Sequence, residues 1–116
     1  MLITDIELNQ EQRLLKLSFD DGSKAELSCE YLRVYSPSAE VRGHGPGQEV
    51  LQTGKEQVNI TAIEPVGNYA VRLVFSDGHD TGLYAWNFLI ELAQNKESNW
   101  QDYLTRLDDA GHQRKA

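Results

Sequence analysis

An α+β domain assembled from two similar halves is what this sequence predicts, and three observations carry the prediction. Apolar and polar residues alternate in two stretches, each ending at an Asp-Gly pair; helical spacing takes over near the carboxy terminus; and the two alternating stretches match one another at a nearly constant offset. Ile3-Thr4-Asp5-Ile6-Glu7 returns as Ile60-Thr61-Ala62-Ile63-Glu64, 57 residues later. Leu17, Phe19, Asp21, Gly22 and Leu27 return as Leu73, Phe75, Asp77, Gly78 and Leu83, now 56 residues later. Two copies are too few for a solenoid, so the halves are expected to share one core. A chain of 116 residues supports one such core, burying roughly 65% of its unfolded surface. The expected architecture is a small, mostly antiparallel sheet packed by carboxy-terminal helices.

Each half reads strand, strand, turn, strand, helix. In the first, Leu15, Leu17 and Phe19 alternate with Lys16 and Ser18, the period of a strand with one buried face. Asp21-Gly22 supplies the backbone freedom of a tight turn, and Ala25 and Leu27 line the return strand. Ser28 then caps a short helical turn carrying Tyr31 and Leu32. In the second half Tyr69, Val71, Leu73 and Phe75 form one face, Asp77-Gly78 the turn, and His79, Thr81 and Leu83 the return. Trp86, Leu89, Ile90 and Ala93 follow at helical spacing. Asn95-Lys96-Glu97 is expected to break that helix, and Ser98 with Gln101 to open another as a capping box. Its apolar stripe is Trp100, Tyr103, Leu104 and Leu107, with Gly111 as the stop. The domain is therefore read as residues 1–111, with 112–116 as a frayed tail.

Between the halves, Arg33 to Lys55 holds four of the nine glycines and two of the three prolines. Connections of this length inside compact domains tend to be functional or disordered. The segment around Tyr35-Ser36-Pro37-Ser38-Ala39-Glu40-Val41-Arg42-Gly43-His44 offers hydroxyls, a histidine and charges of both signs, as a binding loop does. Read as extended chain, it places Glu40 and Arg42 on one side.

Composition excludes several functions. A net charge of −7 repels nucleic-acid phosphates and anionic lipid. No apolar run is long enough to span a bilayer, and the amino terminus lacks the plan of a signal peptide. The single cysteine, Cys29, has no partner for an internal disulfide, so a reducing, cytoplasmic setting is expected. Gly54-Lys55 fails as a phosphate loop because Glu49 stands where the first glycine is required and Glu56 where a hydroxyl is. His44, His79 and His112 lack zinc-finger spacing, and none begins a His-x-Asp or His-x-Glu pair. His79 sits between Asp77 and Asp80, whose charges are expected to favour the imidazolium; no nucleophile or second base is assignable beside it from sequence.

Four segments together resemble a known family: Leu32 to His44, Val66-Gly67-Asn68-Tyr69-Ala70, Phe75 to Trp86, and Trp100-x-x-Tyr103-Leu104. They are similar to the gamma-butyrobetaine hydroxylase-like N-terminal domain family, whose bacterial single-domain members are of unknown function. In the carnitine-pathway dioxygenases such a domain precedes a catalytic jelly roll and carries a structural zinc site. The resemblance places the zinc histidine at His79 and the cysteines at Ser36, Ser38 and Val41, which are poor ligands. Similar domains are also appended to Mrp-type ATPases of iron-sulfur cluster delivery. The jelly roll is absent from these residues, so dioxygenase activity is not expected.

The resulting expectation is a non-catalytic accessory or protein-binding module with no required cofactor and no nucleic-acid or membrane partner. Its oligomeric state is not specified by sequence. Its partner-binding residues are expected among Arg33, Ser36, Ser38, Glu40, Arg42, His44, Asp77, His79 and Asp80. The alternative is a metal-handling protein in which His79, His44 and a carboxylate of the loop hold iron or zinc weakly.

Overall fold

The computed structural model describes residues 1–43 and 47–115. The first half contains β1 (Ile3–Asn9), β2 (Leu14–Phe19), β3 (Lys24–Ser28) and α1 (Cys29–Val34). A short helix, α2 (Ala39–Arg42), lies in the connection. The second half contains β4 (Ile60–Val66), β5 (Ala70–Phe75), β6 (Leu83–Ala85) and α3 (Trp86–Gln94), and α4 (Lys96–Asp109) closes the fold. The fold is α+β with two like halves, as expected. Each half keeps its own antiparallel three-stranded sheet, in the orders β1-β2-β3 and β4-β5-β6.

The repeat is structural in detail. Ile3 pairs with Phe19 and Ile60 with Phe75, and a bulge interrupts the ladder between Ile3 and Asp5 in one sheet and between Ile60 and Ala62 in the other. The drop in offset from 57 to 56 arises in a turn: residues 10–13 join β1 to β2, while residues 67–69, one fewer, join β4 to β5. Leu15, Leu17, Phe19 and Leu27 meet Ile60, Val71, Leu73, Phe75 and Tyr84 in one buried cluster. Tyr31 and Leu32 of α1 and Leu89 and Leu92 of α3 join the same cluster, so the two sheets and the helices bury one another's apolar faces.

The last strand departs from the repeat. Leu15 pairs with Leu27, whereas Val71, its counterpart, pairs with Tyr84 and not Leu83. A one-residue slip turns every side chain of a strand to the other face. Leu83 is therefore 44% exposed, and Tyr84 takes the interior position, its hydroxyl donating to the Leu32 carbonyl at 2.6 Å. The expected return strand through His79, Thr81 and Leu83 is thus corrected: residues 79–82 leave the sheet. Tyr69, expected on the inner face, is exposed in the β4–β5 turn.

The helices follow their local signals with one exception. The Ser28 hydroxyl accepts from the Tyr31 N–H at 3.0 Å and caps α1. Helix α4 starts at Lys96 and not at Ser98; Asn95 alone separates it from α3, and the Ser98 hydroxyl donates to the Asn95 carbonyl, so there is no capping box. Gly111, at φ 75°, ends α4 in a Schellman motif, with Gly111 N–H on the Asp108 carbonyl and His112 N–H on that of Leu107. Residues 112–115 then run without regular structure, anchored where Arg114 pairs with Glu30. No helix among the described residues is long and apolar enough to cross a membrane.

Candidate functional site

The second Asp-Gly turn and the inter-half connection come together in space. The turn is built by local bonds: Gly78 at φ 91°, Gly78 N–H on the Phe75 carbonyl at 3.0 Å, and His79 N–H on Asp77 Oδ1 at 3.2 Å. It projects two side chains, Asp77 and His79, towards α1 and the segment that follows it.

Asp77 is the hub of the charges. Its Oδ2 accepts from Arg33 Nε at 2.9 Å and from Lys55 Nζ at 2.7 Å. Arg33 is 7% exposed, and its Nη1 donates to Gln52 Oε1 at 3.0 Å, so the buried guanidinium is both paired and hydrogen-bonded. Burial pushes the Asp77 carboxyl up, but the bonds from Lys55 and the His79 N–H and the Arg33 charge outweigh it and hold the group at about 2.

His79 is the hub of the neutral groups and is itself buried. Ser36 Oγ lies 2.8 Å and Ser38 Oγ 3.3 Å from its Nε2, and Glu40 Oε2 lies 3.3 Å from its Nδ1. One tautomer satisfies the ring: Nδ1–H donates to Glu40 and Nε2 accepts from Ser36. Burial favours the uncharged imidazole, as does the charge of Arg33, and together they overcome Glu40 and Asp77. This corrects the expected rise: the pKa of His79 lies below its ordinary value. The close approach requires Gly82, where a Cβ would stand 2.5 Å from Ser36 Oγ.

The structure places the Ser36 hydroxyl beside His79, a neighbour that sequence alone does not assign. Ser36, His79 and Glu40 stand in the order nucleophile, base, orienting acid. Ser36 is nevertheless fully buried, so its hydroxyl meets no substrate in this conformation.

Glu40 and Arg42 do not share a side. Ala39–Arg42 is helical, so two residues along the chain point about 200° apart. Glu40 turns to His79 and accepts from the Thr81 hydroxyl at 3.2 Å, while the Arg42 guanidinium lies over the Phe88 ring at 5.0 Å. Arg42 therefore lines an adjoining cleft of about 510 Å³ with Phe88, Glu91, Asp102 and Arg106, which Ser36 also borders. Asp80 joins the turn's outer rim, 3.1 Å from Arg72 Nη1. His44 lies outside the described residues. Lys55, Gln52, Thr81 and Gly82 are members that the sequence reading missed. Each lies far along the chain from its partner, and only the closed fold makes them neighbours.

A zinc site does not fit the residues present. Ser36 and Ser38 offer neutral hydroxyls, Val41 offers no donor atom and is buried, and zinc centres of this kind take thiolates and imidazoles. Among the described residues no group of three or more His, Cys, Asp or Glu side chains is placed to hold a metal ion.

In comparison with known proteins, the family model described as gamma-butyrobetaine hydroxylase-like, N-terminal, matches residues 6–90. Two protein structures determined by NMR in solution are similar throughout. One is 57% identical with a TM-score of 0.81, over 97% of this chain and 84% of that one. The other is 45% identical with a TM-score of 0.85, over 98% of this chain and 90% of that one. A crystal structure from Acidithiobacillus ferrooxidans ATCC 23270, of a protein with unknown function in the DUF971 family, is 35% identical with a TM-score of 0.66, over 79% of this chain and 92% of that one. Among curated proteins, nothing matches.

Proposed function

The chain belongs to the gamma-butyrobetaine hydroxylase-like, N-terminal family, and from that premise we propose that it is a non-catalytic module that recognises another protein where the Arg33–Gly47 connection meets the Asp77–Asp80 turn. One observation carries the reading. Arg33, Ser36, Ser38 and Glu40 are each bonded to the turn, so two segments some forty residues apart form one preorganised surface. A surface held in this way loses little entropy on binding. Its buried groups satisfy one another, Glu40 and Asp80 present acidic side chains 65% and 47% exposed on its rim, and the exposed Arg42 is turned away to Phe88. With a net charge of −7 behind them, the complementary partner is basic.

The test is capture of partners from native lysate by the full chain and by Glu40→Lys and Asp80→Lys, with folding checked by circular dichroism. Both charge reversals are expected to lose the same protein. Retention of that protein by both folded variants would overturn the reading. So would labelling of Ser36 by a serine-directed fluorophosphonate, because it would mean that the buried hydroxyl is reachable and activated.

A further inference from the structure

Three residues before Arg33, α1 carries a second buried charge, the carboxylate of Glu30, which is 5% exposed. Its cation is supplied from the far end of the chain. Arg114 donates to it twice, Nε to Oε2 at 2.8 Å and Nη2 to Oε1 at 2.5 Å, a parallel fork. The same guanidinium lies over the indole of Trp100, with Cζ 5.3 Å from the ring centroid. Glu56 accepts from the Lys115 N–H at 2.8 Å and fixes the direction in which the chain leaves.

These groups make a receptor for one side chain. A planar fork facing a carboxylate and a flat cation on an indole are both properties of arginine, and lysine reproduces neither. The receptor is set in the rigid part of the molecule: Glu30 in α1, and Trp100 in α4 beside the buried Tyr103. Its occupant is not. Residues 112–115 have no regular structure, and beyond the His112 N–H bond that ends α4 they are held by the arginine fork, the stacking and the Lys115 N–H bond. Simple release of the tail is unfavourable because it strands a buried carboxylate without a cation. Exchange for another guanidinium restores both bonds to Glu30 and the stacking on Trp100.

We propose that Glu30 and Trp100 form an arginine-binding site, filled in cis by Arg114 and opened by exchange to an arginine-bearing segment of another polypeptide. The inference does not rest on the surface around His79 and stands or falls separately from it. Tethering gives the resident arginine a high local concentration, so the site is guarded, and an incoming segment must bring contacts beyond its arginine to win.

The experiment uses the full chain, nitrogen-15 labelled, with Arg114→Ala. The probe is the synthetic hexapeptide Gly-His-Gln-Arg-Lys-Ala, with a second version in which lysine replaces its arginine. The variant is expected to bind the first peptide saturably, moving the Trp100 indole N–H resonance. Binding should be about tenfold or more weaker for the lysine version and for the unaltered chain, whose own tail competes, and abolished when Glu30→Gln is added. An indole that stays still in the folded variant at millimolar peptide would overturn the proposal, and so would binding indifferent to Glu30→Gln. Should Arg114→Ala not fold, Arg114→Lys, which keeps the charge but not the fork, takes its place in the same titration, and an indole resonance that stays still there at millimolar arginine peptide refutes the exchange.

Discussion

The two Asp-Gly hairpins are built by the same bonds and used in opposite ways. Phe19 N–H reaches the Ser23 carbonyl at 2.9 Å, and Phe75 N–H the His79 carbonyl at 2.9 Å. Asp20 N–H reaches the Leu2 carbonyl, and Ser76 N–H that of Asn59. Even the reciprocal bond is kept, from Leu2 N–H to Asp20 Oδ1 in one copy and from Asn59 N–H to Ser76 Oγ in the other, each at 2.9 Å. Yet Asp21 serves only Ser23, its own turn, while Asp77 binds Arg33 and Lys55 from across the chain. At the position where the first turn has the exposed Ser23, the second has the buried His79. The difference teaches that a hairpin's backbone and its employment are separable: turn chemistry builds the loop, and what packs against it decides whether its side chains become a site.

The largest way to sharpen that comparison lies one strand further on, where sequence match and spatial match disagree. Leu27 and Leu83 align in the repeat, but Leu27 is fully buried and Leu83 is 44% exposed. Leu27→Ala is expected to cost about 3 kcal/mol, and Leu83→Ala under about 0.5 kcal/mol, measured by urea denaturation. Equal costs would mean that β6 keeps the register of β3 and that the slip described above is absent.

Next in size is the pair of turn aspartates. Asp77→Ala leaves Arg33 buried without its carboxylate and frees Lys55, at an expected cost of about 2 kcal/mol. Asp21→Ala removes two exposed local bonds and is expected to cost clearly less. If the two cost the same in the same denaturation assay, the second hairpin is as idle as the first and the proposed surface loses its foundation.

Much of this was legible in the sequence, and what was not has a common cause. The repeat, the alternation in β2 and β5, the Ser28 cap and the Gly111 stop are all local patterns, and the backbone follows them. The face of β6 was misread because period-two alternation specifies which residues share a face and leaves open which face it is; pairing with β5 chose. The helical turn at Ala39–Arg42 was misread as extended because four residues carry too little periodicity to identify a helix. For the site, Asp77, His79, Ser36 and Glu40 were found as residue types in promising loops, but the direction of the His79 shift was not. The near carboxylates are visible in the chain, whereas Arg33, 46 residues away, and the burial that outweighs them exist only in the fold.

The smallest expected effect is the most specific to the second hairpin, because its counterpart Ser23 does not ionise in this pH range. His79 titrates below its ordinary value of 6.5 in the folded protein, so between that value and its folded one the unfolded chain binds more protons. Stability is then expected to fall as pH drops below about 6.5, with a slope of at most about 1.4 kcal/mol per pH unit. A second loss follows at lower pH, where Asp77, held at about 2 against an ordinary 3.8, takes up its proton. Denaturant midpoints measured from pH 7.5 to 2 separate the two windows. His79→Gln removes the upper one and leaves the lower, since an amide in the same space can still donate to Glu40 or accept from Ser36 but does not ionise. Persistence of the upper slope in that variant would assign it elsewhere, and the second hairpin would then differ from the first in its charges alone.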